Sequence, residues 1–356
     1  MNIGILTFHD AHNYGAVLQA YALKKYLENQ NHNARVINYH HSNIEDGFPQ
    51  SRNKEKLGKT NLEMKFSEKA HLERWEKFDD FIKKLTNNEK KVYDSEEELE
   101  KIEDIDIFIC GSDQIWNPDI TQGLNKGFFL YFKTRAKKMA YAASMGIEKL
   151  KDEDEVDFEE YLNGLDFISV REQSLKLYSE KFTKKEVIQV LDPTFLLEKE
   201  QYNELLHEVE AKKYLLIYAL GPDERLTKLA KYISKEQNLE VIELNDFEEK
   251  DYQFRQISNA GPSDFLSLIK NAEVVITNSF HGTIFSILFE REFYTLTRGN
   301  RNSRMESLLR TAGLQERLLH KNLSIDLKNK INFIKVKDNF TKKINQSKDF
   351  LKEAVK

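Results

Sequence analysis

The chain alternates short, almost wholly apolar runs with longer stretches whose apolar positions recur every three to four residues. NIGILTF (2–8) is the first short run. Polar HDAHNYG follows, and in AVLQAYALKKYLEN the residues Val17, Leu18, Tyr21, Ala22 and Leu27 recur at helical spacing. The opening therefore reads strand, loop, helix. ARVINY predicts a second strand, and LERWEKFDDFIKKL a helix with Trp75, Phe78, Ile82 and Leu85 on its apolar face. Strands DIFIC (106–110), KMAYAAS (138–144) and DFISV (166–170) come next, the last leading into a helix near Arg171. The pattern restarts at VIQVL (187–191) and DPTFLL, then runs through YLLIYAL (214–220), a helix over 226–236, LEVIEL (239–244) and a helix over 262–272. VVIT (274–277), a helix in SFHGTIFSILFE, FYTLT (293–297) and a charged helical tail complete it. Strands alternating with helices predict parallel sheets covered by helices.

A length of 356 residues suggests two domains. The expected class is α/β, with two Rossmann-type domains whose mostly parallel sheets face a central cleft. The bounds read 1–182 for an N-terminal acceptor-side domain and 183–325 for a C-terminal donor-side domain. Residues 326–356 form a helical segment that packs back on the N-terminal domain. Apolar content of 40%, charged content of 32% and a net charge of −5 describe a globular protein and give no reason to expect a nucleic-acid partner. A single cysteine, Cys110, rules out an intrachain disulfide and favours a cytoplasmic location. The N-terminus lacks a basic leader and a long apolar run, so no signal peptide is expected, and no membrane-spanning stretch is present. The Lys-rich stretch Lys54–Lys69 reads as a solvated segment, with peripheral contact to the inner face of a membrane as the lesser reading.

Candidate chemistry sits where strands hand over to helices. After VVIT come Asn278, Ser279, His281, Gly282 and Thr283. A helix start at the carboxyl end of such a strand offers unpaired N–H groups and a positive dipole end to anions. Gly282 permits close backbone approach, and an imidazole, with an ordinary pKa of about 6.5, can donate a proton near neutrality. The competing reading makes Ser279 a helix cap and His281 a satisfied junction residue. LTRGNRNSR places Arg298, Arg301 and Arg304 close together, a second anion-binding signal. Asn13, Tyr14 and Gly15 occupy the first strand–helix turn, with His9 and His12 just before them; two histidines without a third ligand make a weak metal signal. Ser112, Asp113, Trp116 and Asn117 follow DIFIC, where GSD is turn chemistry and Trp with Asn suits sugar recognition. Arg171 follows DFISV, where a guanidinium can grip phosphate or carboxylate. The pair Asp104 and Asp106 lies at the wrong end of its strand for a metal–diphosphate site, and no dinucleotide or ATP-binding glycine motif occurs.

Taken together, MNIGILTFHDAHNYGAVLQAYAL, FICGSDQIWNP, YAASMG, ISVREQS, LDPTFLL and ITNSFHGTIFSILF resemble the polysaccharide pyruvyl transferase family over residues 1 to about 300. The resemblance implies a GT-B-like fold. It also implies an enzyme that transfers a pyruvyl group from phosphoenolpyruvate to a sugar of a cell-surface polysaccharide or exopolysaccharide precursor, forming a ketal and releasing phosphate. No metal or cofactor is implied beyond phosphoenolpyruvate as donor substrate. His281 matches the family's motif histidine, as proton donor or as a contact to the donor, and Arg171 matches the arginine that holds phosphoenolpyruvate. Asn278, Ser279, Gly282 and Thr283 fall on the donor side. Ser279 stands where other members carry arginine, so Arg298, Arg301 or Arg304 is expected to supply the charge. Asn13, Tyr14, Gly15, Ser112, Asp113, Trp116 and Asn117 fall on the acceptor side, with His40, His41 and Trp75 as further sugar contacts; the acceptor is a lipid-linked or nucleotide-linked sugar, or a polymer. Two other readings remain: a GT-B glycosyltransferase using a nucleotide sugar, and a non-catalytic sugar-binding or scaffold protein. The paired-glutamate spacing of retaining glycosyltransferases is absent around Glu290 and Glu292.

Overall fold

The computed structural model describes residues 1–40, 68–244, 254–297, 303–320 and 323–356. Twelve strands are described: β1 (Asn2–Leu6), β2 (Asn33–Val36), β3 (Ile107–Cys110), β4 (Lys137–Ala143), β5 (Phe167–Val170), β6 (Val187–Gln189), β7 (Tyr214–Tyr218), β8 (Glu240–Leu244), β9 (Arg255–Ile257), β10 (Val274–Thr277), β11 (Glu292–Leu296) and β12 (Leu318–Leu319). They form two six-stranded sheets, ordered β2-β1-β3-β4-β5-β6 and β12-β11-β10-β7-β8-β9, with every pairing parallel. The longer helices are α1 (Tyr14–Asn29), α2 (Glu68–Leu85), α3 (Glu155–Asn163), α4 (Gln173–Ser179), α5 (Glu224–Gln237), α6 (Pro262–Asn271), α7 (Phe280–Leu288), α8 (Ser303–Ala312) and α9 (Phe333–Ala354).

Parallel strands packed on both faces read as continuous apolar runs rather than alternating ones. β3 (IFIC) and β7 (YLLIY) are buried at every position, as that rule requires. The first sheet's core holds Leu6, Phe108, Trp116, Phe129 and Phe158; the second's holds Leu215, Ile217, Ile233, Ile276 and Leu296. Each such side chain contributes about 1.5–3 kcal/mol on burial.

Of the described residues, 1–40, Asp80–Leu197 and Thr341–Lys356 make one compact unit, and 68–79 with Glu198–Phe340 make the other. The division falls after Leu197, not at residue 182, because β6 pairs with β5 (Ile168 beside Val187) as the edge of the first sheet. VIQVL closes the first unit instead of opening the second. From Thr341 onward α9 belongs to the first unit: Ser347 Oγ accepts from Leu191 N at 2.9 Å and Lys343 Nζ donates to Gln189 Oε1 at 3.0 Å. No described helix is long and apolar enough to cross a membrane.

Each sheet has one point where the chain reverses its direction of strand addition. In the first it lies between β1 and β3; in the second it lies between β7 and β10. Open α/β sheets bind ligands outside the carboxyl ends of strands at such points. The loops after β10 and β3 are therefore where chemistry is expected.

Candidate functional site

In the second unit, β10 ends beside β7 with Thr277 level with Tyr218. Thr277 Oγ1 donates to Tyr218 O at 2.7 Å and accepts from Ser279 N at 3.0 Å. Asn278 Oδ1 accepts from Leu220 N at 2.7 Å, so the ends of β7 and β10 are tied at the reversal point. Ser279 caps α7, its Oγ accepting from Gly282 N at 3.3 Å, and the Thr283 hydroxyl donates back to Ser279 O at 3.0 Å. Four polar residues at this junction, Thr277, Asn278, Ser279 and Thr283, thus hold the turn together. Gly282 has a packing role as well. A Cβ there would lie 2.6 Å from Thr277 Oγ1 and 2.9 Å from Tyr218 Cδ1, so the absent side chain lets α7 sit close on its strand.

The first turn of α7 also carries His281, which is 7% exposed, its ring 5.4 Å from that of Phe280. The guanidinium of Arg304, on α8, lies 5.6 Å from the Phe280 ring centroid. One aromatic ring thus neighbours both an imidazole and a guanidinium at a helix start. Arg298 and Arg301 lie outside the described residues; of the three arginines, Arg304 is the one the structure places here.

Arg171, in the first unit, has a different setting from an open anion grip. It is 6% exposed, with Nη1 2.8 Å from Asp192 Oδ2, Nε 3.4 Å from Glu172 Oε1 and Nη2 3.6 Å from Asp113 Oδ1. Burial works against the charged guanidinium, but Glu172, Asp192 and Asp113 outweigh it and raise its pKa above the ordinary value. This arginine is already matched by carboxylates.

The acceptor-side residues divide in a similar way. Trp116 is fully buried, stacked on Phe129 at 4.6 Å between ring centroids, with Nε1 donating to Phe128 O. It is a core residue, and the expected sugar contact is corrected accordingly. Asn117 is also fully buried: it caps the turn Pro118–Thr121 by accepting from Asp119 N, and donates to Gln114 Oε1. Ser112 N donates to Gln19 Oε1 at 3.0 Å, and its Oγ donates to Ala142 O at 2.7 Å, joining the ends of β3 and β4. Asn13 caps α1 through Ala16 N, while Tyr14 and Gly15 are buried in its first turn. Asp113 keeps 12% of its side chain exposed.

Trp75 is buried in the second unit, and His41 lies outside the described residues. His40 Nδ1 lies 2.8 Å from Asp10 Oδ2, and both His40 Nε2 and His9 Nε2 face Asn38 Oδ1. Asp104 pairs with Arg35 and Asp106 accepts from Asn2 N, at the amino ends of their strands. Among the described residues no group of three or more His, Cys, Asp or Glu is placed to hold a metal ion. Glu172, Asp192 and Ser144 were missed as site candidates in the sequence. The usable signal was a charged residue immediately after a buried strand in VRE, and shortly after the edge strand in LDP.

A family model described as polysaccharide pyruvyl transferase matches residues 13–300, most of the chain, and the chain belongs to that family. No curated protein matches it in a sequence comparison. Among solved structures it is similar to a putative UDP-N-acetylglucosamine 2-epimerase from Listeria monocytogenes, with TM-score 0.50 and 11% identity over 99% of this chain and 89% of that one. It is also similar to the UDP-GlcNAc 2-epimerase of Methanocaldococcus jannaschii, in complex with UDP-GlcNAc and UDP, with TM-score 0.49 and 13% identity over 97% and 93%. At such identity the likeness shows the fold class, GT-B-like with Rossmann-type units.

Proposed function

We propose that this polysaccharide pyruvyl transferase moves a pyruvyl group from phosphoenolpyruvate to two hydroxyls of a sugar in a cell-surface polysaccharide or its precursor, without a metal. The observation that carries this reading is that His281 and Arg304 each neighbour the Phe280 ring at the start of α7, which follows β10 at the reversal point of the second sheet. A helix start, an imidazole and a guanidinium suit a small ligand with both a carboxylate and a phosphate. The enol carbon C3 takes a proton, for which His281 is the donor. Positive charge develops at C2, and a sugar hydroxyl bonds there and loses its proton. The C2–O bond to phosphate breaks, its electron pair leaving with phosphate, and a second hydroxyl bonds to C2 and loses its proton to close the ketal; of the two hydroxyl protons released, one restores His281 and the other goes to the phosphate. Of Arg298, Arg301 and Arg304, the last is the one assigned here to hold the negative groups that Ser279 cannot. Arg171 acts in this scheme by ordering the strand ends of the first unit. A lipid-linked or nucleotide-linked acceptor and a cytoplasmic site of action accompany the reading.

A nucleotide-sugar glycosyltransferase could use the same helix start for a diphosphate, and the family match favours pyruvyl transfer over it. Thermal unfolding with phosphoenolpyruvate, phosphate, pyruvate and UDP, each in chelator, tests the choice. A ligand at about 100 times its dissociation constant stabilises by roughly 2.7 kcal/mol. Stabilisation by phosphoenolpyruvate beyond phosphate and pyruvate supports the reading; stabilisation by UDP alone sinks it.

A further inference from the structure

Four adjacent strands of the first sheet, β3 to β6, end in side chains that meet: Ser112 and Asp113, Ser144, Arg171 with Glu172, and Asp192. Three carboxylates surround one guanidinium there, and they are not equivalent. Asp192 has both oxygens engaged by protein donors: Oδ2 accepts from Arg171 Nη1, and Oδ1 accepts from Thr194 N at 3.1 Å and from its hydroxyl at 2.8 Å. Glu172 has 5% of its side chain exposed, and its Oε1 accepts from Ser144 Oγ at 2.5 Å. Its Oε2 is buried and meets no hydrogen-bond donor among the described residues. Asp113 stands farthest from Arg171, at 3.6 Å, and is the most exposed of the three.

A buried carboxylate oxygen left without a donor carries its whole desolvation penalty, and extra carboxylates add mutual repulsion. Asp192 makes the short contact to Arg171, at 2.8 Å, while Glu172 and Asp113 stand farther off at 3.4 and 3.6 Å. The surplus is explained by a ligand that brings donors. Glu172 and Asp113 themselves repel an anion. Neutral hydroxyls fit, because ionised carboxylates only accept hydrogen bonds and a sugar hydroxyl donates one. The cluster also lies at the carboxyl ends of parallel strands, where ligands of such sheets bind.

We propose that Glu172 and Asp113 form a hydroxyl-recognition site for a neutral polyol such as a sugar ring. Glu172 Oε2 accepts from one hydroxyl, and Asp113, nearer solvent, accepts from a second. Naming the ligand as the acceptor sugar rests on the pyruvyl-transfer reading; the site itself does not.

The test compares Glu172→Gln with Asp192→Asn in thermal unfolding, alone and with methyl glycosides of glucose, galactose, mannose and N-acetylglucosamine. Glu172→Gln keeps the shape and removes the surplus charge. Its midpoint is expected to hold or rise, while the glycoside stabilisation seen in the wild type disappears. Asp192→Asn weakens the ion pair and is expected to lower the midpoint by about 5 °C or more. A fall for Glu172→Gln as large as that for Asp192→Asn would make Glu172 a structural partner of Arg171 and overturn the proposal. Glycoside stabilisation that survives in Glu172→Gln, or none in the wild type, would overturn it too. Phosphoenolpyruvate is titrated in parallel: glycoside binding lost in Glu172→Gln with phosphoenolpyruvate inert upholds this site and strikes only the pyruvyl donor.

Discussion

Replacing Gly282 with alanine separates two roles for the glycine of the α7 turn. If the glycine exists for a ligand's approach, the added methyl leaves folding intact and weakens binding alone. The structure gives it a different neighbour. The new Cβ would stand 2.6 Å from Thr277 Oγ1, 2.9 Å from Tyr218 Cδ1 and 3.2 Å from Thr277 Cβ. Thr277 cannot turn aside freely, because its hydroxyl is held between Tyr218 O and Ser279 N. Overpacking of this kind costs about 1–3 kcal/mol, and disturbing those hydrogen bonds adds roughly 0.5–1.5 kcal/mol for each one lost. Better helix propensity of alanine offsets up to about 1 kcal/mol. The net is a loss of about 1–3 kcal/mol, or roughly 2–10 °C in the midpoint of a unit this size. Circular-dichroism melting of wild type and Gly282→Ala reads it directly. An unchanged or raised midpoint would refute the packing argument and return Gly282 to a ligand role.

Arg171→Ala is expected to destabilise by about 3–5 kcal/mol, since it leaves Asp192 and Glu172 buried without their guanidinium; urea unfolding measures this, and a loss under 1 kcal/mol would contradict it. Trp116→Ala is expected to cost about 3–5 kcal/mol by emptying a fully buried core position, with any glycoside response of the folded fraction retained. Burial, aided by neighbouring carboxylates, pushes Tyr93, Tyr161 and Tyr178 up to about 12. Being acids with raised values, they contribute stability that is intact below their unfolded value of about 10 and lost as pH rises towards 12. Absorbance titration at alkaline pH should show these tyrosines ionising together with unfolding, and free ionisation near 10 in a folded protein would contradict the burial.

The two-sheet architecture was legible because fully buried parallel strands are written as unbroken apolar runs, such as YLLIY and VVIT. The boundary was not, because VIQ in β6 looks the same whether it closes one sheet or opens the next; only its pairing with β5 decides. β9 and β12, with three and two residues, are too short to carry a period. At the site, the strand-to-helix spacing located His281 correctly on the first turn of α7. It could not show that Asn278, Ser279 and Thr283 serve the turn itself, since capping and ligand binding use the same side chains. Trp116 misled for a related reason. An aromatic beside turn residues looks like a sugar platform, but its partner Phe129 comes thirteen positions later and pulls it into the core. Glu172 adjoins Arg171 in the chain, but Asp113 and Asp192 come from other loops, and only the adjacency of β3 to β6 brings them to it.

If the start of α7 holds phosphoenolpyruvate through His281 and Arg304, both side chains contribute to its affinity. Isothermal titration of phosphoenolpyruvate into wild type, His281→Gln and Arg304→Gln tests it most directly. Loss of a charge-assisted contact of about 1.5–3 kcal/mol weakens binding by roughly 10–150-fold. Saturable binding by the wild type is expected, with a drop of that order in each variant and folding unchanged. Equal affinity in all three proteins, or no binding of phosphoenolpyruvate while UDP binds, would contradict it.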